Sequence, residues 1–202
     1  NGGFIQTILD ICDRENIGVI IPTIDTELLL YAENRSLFSE RGIEIILSDE
    51  RTIRIFRDKL KAFELFEAKN IPTPKTYLLT PELIENIDLN GSYIAKPSAG
   101  SCSVGLMLNP TKDDLFKAID GGEPYILQEK LFGKEYTVNC FISNEGKLVA
   151  AIPHYRYKVR AGEVSFGITE RLAVLDDFAK QIVEMNCGLA GPFCFQAIVD
   201  SS

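Results

Sequence analysis

The chain has 202 residues, of which 46% are hydrophobic and 25% charged, a composition typical of folded globular proteins and unlike that of disordered, collagen-like or coiled-coil chains. Its 21 Lys and Arg against 29 Asp and Glu give a formal charge of -8, and this net field repels nucleic acid backbones and anionic lipid. No apolar run reaches the ~20 residues of a membrane span, and the N-terminus lacks the basic and apolar regions of a signal peptide. Five Cys and one His fit reduced thiols better than a disulfide framework or a zinc site. We therefore expect a cytoplasmic protein without nucleic acid or membrane partners.

The N-terminal part alternates helical and strand patterns. In chain order these are a helix over 4–16, a strand over 17–22, a helix over 26–41 and a strand over 43–47. Asp25 suits the N-cap of the second helix, and Gly42 lies just past its end. Alternation of this kind predicts a parallel α/β sheet.

From Asp58 onward the pattern changes to a mixed one. It predicts helices over 58–70, from Thr80-Pro81, and over 111–119 and 176–189, and strands over 92–97, 104–109, 124–131, 135–143, 147–153 and 193–199. Thr111 and Asp114 form a capping-box pattern. The turn residues 144–146 predict an antiparallel hairpin. The second part is therefore expected to be α+β.

A loop of small residues over 96–105 joins two predicted strands and opens with Lys96. Small residues allow close approach of a backbone to a phosphate, and exposed amides and hydroxyls can bind it while the lysine supplies charge. The lysine leads the loop and a strand follows it, so the loop is neither a Walker A motif nor a dinucleotide fingerprint. A simple hairpin connection is an equally good account of this loop.

Other polar segments allow two interpretations each. Lys59 taken singly is better explained as a solvated residue of the first helical turn, although a lysine there opposes the helix dipole, which weakly favours contact with an anion. The strand end over 128–131 can offer backbone groups to an adenine edge and Glu135 a carboxylate to ribose, although charged strand ends are common. His154, Arg156, Lys158 and Arg160 are spaced by two, so in an extended segment they share one face that either attracts an anion or is simply solvated.

Taken in order, these segments resemble the ATP-grasp superfamily, and most closely its carbamoyl-phosphate synthase large-subunit-like and carboxylate-amine ligase branch. The resemblance is carried by the order and spacing of the segments 20–22 with 25–28, 58–59, 71–74, 96–105, 128–131, 133–136 and 195–197. It implies the remnant of a parallel α/β pre-ATP-grasp domain over 1–58, a first ATP-grasp lobe over 59–127, and a hinge with an incomplete second lobe over 128–202.

The resemblance also implies roles for individual residues. Lys59 and Lys96 would contact the nucleotide phosphates, and Ser101, Cys102 and Ser103 would close over them.

The segment of Gln128, Glu129, Lys130 and Leu131 would form the hinge that meets adenine. Glu135 would bind ribose.

On the remaining strands, Gln196 would help to hold magnesium. Arg160 would meet an anionic substrate or the transferring phosphate as a catalytic residue.

In this family ATP phosphorylates a carboxylate, and an amine or ammonia attacks the acyl-phosphate. The resemblance therefore implies an ATP-dependent ligase that uses ATP and Mg²⁺, or Mn²⁺ in its place, as cofactors. Its substrates would be small-molecule carboxylates and amines or ammonia, and a homodimer is one expected assembly. The main metal-ligating acid and a following Asn of the family lie on the strand after Gln196, beyond Ser202. We therefore expect a fragment, and a non-catalytic nucleotide-binding regulatory module is the alternative.

Overall fold

The computed structural model describes residues 2–100, 103–160 and 162–200. Its helices are α1 (Gly2–Glu15), α2 (Leu28–Glu33), α3 (Arg35–Ser39), α4 (Glu50–Phe56), α5 (Lys59–Ala68), α6 (Pro81–Asn86), α7 (Lys112–Asp120) and α8 (Ala173–Glu184). Its strands are β1 (Val19–Ile20), β2 (Glu44–Ile45), β3 (Thr76–Leu78), β4 (Tyr93–Pro97), β5 (Met107–Leu108), β6 (Tyr125–Glu129), β7 (Lys134–Ile142), β8 (Leu148–Arg160), β9 (Glu163–Thr169) and β10 (Gly191–Val199). The described chain divides into two compact units, one comprising 2–54, 139–151 and 179–194, the other 55–100, 103–138, 152–160, 162–178 and 195–200. The division into 1–58, 59–127 and 128–202 stays a prediction.

In the first unit, β1 and β2 pair in parallel, as the alternating pattern predicts. Helix α1 buries Ile5, Leu9 and Cys12 in a core because positions three and four apart lie on one helix face. The prediction of one continuous helix over 26–41 is wrong: a short 3-10 turn at Asp25–Glu27 precedes α2 and α3. Asp25 is not the N-cap of this turn. Ile24 occupies the N-cap position and makes no side-chain hydrogen bond there. The sequence pattern does not predict helix α4.

In the second unit, β3, β6, β4 and β5 form an antiparallel sheet in that order. The predicted helix starts are confirmed: Asp58 caps α5, Thr80 caps α6 with Pro81 in its first turn, and Thr111 with Asp114 forms a complete capping box at α7.

The two faces of this sheet differ in chemistry. Leu79, Ala95 and Leu127 lie on one face and form a buried core with Ile84 of α6 and Leu115 of α7. Thr76 pairs with Gln128, which also pairs with Ile94, and Lys96 pairs with Ile126. Since residues directly opposite each other, and residues two apart, share a face, Thr76, Gln128 and Lys96 all lie on the other face.

The remaining strands form a sheet in the order β10, β7, β8 and β9. The pairing of β8 with β9 is antiparallel, and its register shifts on both sides of Lys158. Among the described residues, no helix combines the length and apolarity needed to cross a bilayer.

Candidate nucleotide site

The start of α5 is bound to the first part of the small-residue loop. The backbone N–H of Lys59 donates to the Ser98 carbonyl at 2.8 Å, and its Nζ lies 3.1 Å from the Pro97 carbonyl oxygen and 3.0 Å from that of Gly100. Asp58 accepts a hydrogen bond from the Ser98 hydroxyl at 2.6 Å. Lys59 thus brings a positive charge to the loop while its ammonium helps to hold the loop backbone.

Asp58 serves both the helix and the loop. Its Oδ1 accepts from the backbone N–H groups of Leu60 and Lys61. Burial raises the pKa of this carboxyl, but the hydrogen bonds from Ser98, Lys61 and Leu60 outweigh that effect and the pKa is lowered. The carboxylate is therefore held ionised at a point that fixes two elements.

Replacing Asp58 with Ala is expected to destabilise the protein by about 2 kcal/mol, because the helix loses its N-cap and the buried Ser98 hydroxyl loses its acceptor. Denaturant unfolding measures the change. Asp58→Asn is the matched control, since an amide oxygen still caps a helix, and it should retain most of the stability. Equal losses in both variants would contradict this account of Asp58.

Three described residues of the loop have left-handed backbone conformations. Gly100, Ser103 and Gly105 have positive φ angles of 111°, 56° and 72°. A Cβ on Gly105 would lie 2.9 Å from Pro97 Cγ, so a close approach of the chain to Pro97 requires glycine here. Ser103 is exposed. The predicted phosphate-contacting residues Ser101 and Cys102 lie outside the described residues, so their role stays a prediction.

Lys96 lies at the end of β4, where the loop begins, and is half-buried. Its Nζ donates to the amide oxygen of Gln128 at 2.9 Å. Burial, followed by the nearby charge of Lys59, lowers the pKa of Lys96 to about 8, with Glu135 acting in the opposite direction. The structure therefore brings the two lysines expected at the phosphates close enough to repel each other, which is an arrangement suited to a multiply charged anion.

Gln128 belongs to the predicted hinge, but its side chain lies against the sheet. Its Nε2 donates to the Thr76 hydroxyl at 2.7 Å, and that hydroxyl donates to the Pro74 carbonyl at 2.9 Å. Thr76 was not expected from the sequence, because the short strand β3 follows a Pro-rich connector and shows no alternating pattern of useful length.

The rest of the hinge begins within the sheet and ends in an exposed residue. The N–H groups of Glu129 and Lys130 donate to the carbonyls of Lys75 and Ser92, so these two amides form hydrogen bonds with the neighbouring strand ends. Leu131 is exposed. Which hinge groups meet adenine stays a prediction.

Glu135, the residue expected to bind ribose, forms an ion pair with Arg156. Arg156 Nε lies 3.0 Å from Glu135 Oε1, and the Arg156 side chain is only 6% exposed against 43% for Glu135. Arg156 also donates to the Thr137 hydroxyl at 3.0 Å and to the Gly162 carbonyl at 2.7 Å. Arg156 is thus paired by charge with Glu135, although its buried Nε makes no hydrogen bond of good geometry, and part of the Glu135 carboxylate is accessible.

The predicted cationic stripe is not uniform. The Arg156 side chain is nearly inaccessible, whereas Lys158 and Arg160 are exposed, and Arg160 pairs across the strands with Glu163. The register shift around Lys158 breaks the simple alternation on which the stripe rests, since an irregular strand re-aims its side chains. The catalytic role of Arg160 stays a prediction.

Gln196, the residue expected to help hold magnesium, is exposed on β10. Within 2–100, 103–160 and 162–200, no group of three or more His, Cys, Asp or Glu could hold a metal ion. The contact of Gln196 with magnesium stays a prediction.

Two family models match the chain: "PylC-like, N-terminal domain" matches residues 1–46, and "ATP-grasp domain" matches residues 56–200. The 5-formaminoimidazole-4-carboxamide-1-(beta)-D-ribofuranosyl 5'-monophosphate synthetase of Pyrobaculum neutrophilum is 27% identical over 169 residues, which are 73% of this chain and 47% of that protein. The carbamoyl-phosphate synthase of Methanobrevibacter smithii is 22% identical over 146 residues, which are 70% of this chain and 40% of that protein.

Among solved structures, the fold is similar to the biotin carboxylase domain of Hydrogenobacter thermophilus 2-oxoglutarate carboxylase, determined with MgADP, ADP and bicarbonate. The TM-score is 0.72 at 16% identity, and the match covers 97% of this chain and 48% of that chain. The chain thus spans about half the length of the relatives that it matches. The predicted ATP-grasp fold is confirmed, and the chain belongs to the ATP-grasp family.

Proposed function

We propose that the chain provides the nucleotide-binding part of an ATP-dependent ligase that activates a carboxylate and couples it to an amine or ammonia. The observation that carries this proposal is the pair of lysines, Lys59 and Lys96, at one small-residue loop, with Lys96 held by a neutral amide. Such an arrangement places two positive charges next to backbone that can approach a phosphate closely. The names of the relatives, which are ligases or synthases, support the same chemistry.

In the proposed reaction a carboxylate oxygen attacks the γ-phosphorus of ATP, the bond to the β-phosphate oxygen breaks, and ADP leaves. The amine nitrogen then attacks the acyl carbon and phosphate leaves with the electron pair of the C–O bond, while the nitrogen gives up a proton. In phosphoryl transfer the protein mainly positions the reactants and neutralises the charge of the phosphates. Lys96 and Lys59 supply charge, and the carboxylate of Glu135, which is paired with Arg156, supplies an acceptor for ribose hydroxyls.

Magnesium would enter with the nucleotide. Mg²⁺ is commonly held by one or two carboxylates together with substrate phosphates and water. Gln196 offers a single neutral oxygen, and the described residues contain no acidic cluster to complete a site. We therefore assign to Gln196 at most a supporting contact with the metal, and no step of the mechanism depends on it.

The test is turnover of ATP by the protein with panels of carboxylates and amines. We expect ADP release that depends on a carboxylate, and we expect ATP labelled with ¹⁸O in the β,γ-bridge to scramble its label when that carboxylate is present without amine. The scrambling reports reversible phosphoryl transfer directly. ATP binding with neither carboxylate-dependent ADP release nor scrambling across a broad panel would contradict the ligase.

A second candidate function is a regulatory module that binds a nucleotide without catalysis. It is favoured by the lack of a metal-ligating cluster among the described residues. The same experiment separates the two functions, because this module binds ATP in calorimetry but gives no carboxylate-dependent reaction.

A further inference from the structure

A continuous line of hydrogen bonds runs behind Lys96 across three strands or strand ends. Lys96 Nζ donates to Gln128 Oε1 at 2.9 Å, Gln128 Nε2 donates to Thr76 Oγ1 at 2.7 Å, and Thr76 Oγ1 donates to the Pro74 carbonyl at 2.9 Å. A lysine ammonium can only donate, and a proline carbonyl can only accept. The two ends therefore fix the direction of every bond between them, including the orientation of the Gln128 amide.

This line lies on the face of the β3-β6-β4 sheet opposite the apolar core of Leu79, Ala95 and Leu127. Thr76 is only 3% exposed, so its hydroxyl has little access to water and depends on protein partners. If its bond to Gln128 is lost, the amide is left with a buried donor that no longer has its acceptor, and such a loss is unfavourable. The strand register thus locks three polar side chains into one arrangement.

The partner of the ammonium in this line is neutral. A carboxylate at position 128 would hold the lysine equally well, but it would cancel the charge that an anion should meet and would raise the pKa of Lys96. An amide holds the group in place without adding an opposing charge. Since Gln and Glu differ by one heavy atom, the choice of Gln can be tested with almost no change in shape.

We propose that Thr76 and Gln128 are positioning residues that fix the ammonium of Lys96 at the nucleotide phosphates through a neutral hydrogen-bond partner. The inference rests on the proposed function in taking ATP as the ligand of Lys96. It goes beyond that function by assigning positioning roles to the side chains of Thr76 and Gln128.

The experiment is calorimetry of ATP binding to the protein from about pH 7 to about pH 9, the range around the lowered pKa of Lys96. Thr76→Val removes the hydroxyl without changing the shape, and we expect about tenfold weaker ATP binding. Thr76→Ser keeps the hydroxyl and should restore binding to within about threefold of the unchanged protein. Gln128→Glu should weaken binding by about tenfold or more at neutral pH. It should also move the fall of affinity to a higher pH, which a merely structural role would not do.

The outcomes separate this inference from the proposed function. If the unchanged protein does not bind ATP, the proposed function fails. If it binds ATP and Lys96→Met abolishes binding, but Thr76→Val and Gln128→Glu bind as the unchanged protein does, the positioning roles are overturned and the function stands. If Thr76→Val does not fold, the nearly isosteric Gln128→Glu decides alone: an unshifted pH profile overturns the inference. An equal loss in Thr76→Ser and Thr76→Val also overturns the role of the hydroxyl.

Discussion

Replacing Lys96 with Met is expected to weaken ATP binding by about 100-fold or more, since removing one partner of a buried, charge-assisted contact to an anion costs on the order of 2–5 kcal/mol. Met fills similar space without charge. Isothermal titration calorimetry measures the loss. Lys147→Met is the matched control, because Lys147 is exposed in the hairpin between β7 and β8 and should bind ATP unchanged. Equal affinities in the Lys96 variant and the unchanged protein would remove Lys96 from the site.

The same lysine sets the expected pH dependence. The pKa of Lys96 is lowered to about 8, mainly by burial and then by Lys59, so the free protein loses this charge as pH rises through about 8, and ATP affinity should fall with it. Between that pKa and the ordinary value, the unfolded chain holds a proton that the folded chain has released. The unfolding free energy of the unchanged protein should therefore rise with pH in this interval relative to that of Lys96→Met. Denaturant unfolding at several pH values checks the sign.

Gly133→Ala is expected to destabilise the protein by about 3 kcal/mol or more. Gly133 has a φ of 145°, in a region that residues with a Cβ rarely adopt. An added Cβ would lie 2.8 Å from the backbone carbon of Val199 and even closer to its carbonyl oxygen. Backbone atoms of a paired strand cannot move aside as a flexible side chain can, so the start of β7 or the end of β10 would have to shift.

Thermal or denaturant unfolding tests this effect, with Gly146→Ala as the matched control. Gly146 also has a positive φ, of 74°, but an added Cβ there meets nothing within 4 Å. Its substitution should therefore cost only about 1 kcal/mol, from the backbone conformation alone. If both alanine variants lose the same stability, the close approach of Gly133 to Val199 is not what requires glycine at this position.

The sequence is most informative where a local signal needs no distant partner. Asp58, Thr80 and Thr111 identify three helix starts because a capping side chain bonds to amides two or three residues away. It is less informative where short elements depend on neighbours. The helix expected over 26–41 breaks into shorter pieces, and β3 is set by its pairing with β6, which the Pro-rich segment before it does not reveal.

For the candidate site, the sequence by itself determined the family and which residues carry charge, because the order of Lys59, Lys96, the hinge and Glu135 survives in the chain. Only the tertiary structure decided what those charges meet. The strand register places Thr76 and Gln128 behind Lys96, and the irregular pairing of β8 accompanies the burial of Arg156 against Glu135 while Arg160 stays exposed. Spacing along a chain fixes neither a register nor a bulge, since both depend on contacts between residues far apart in sequence.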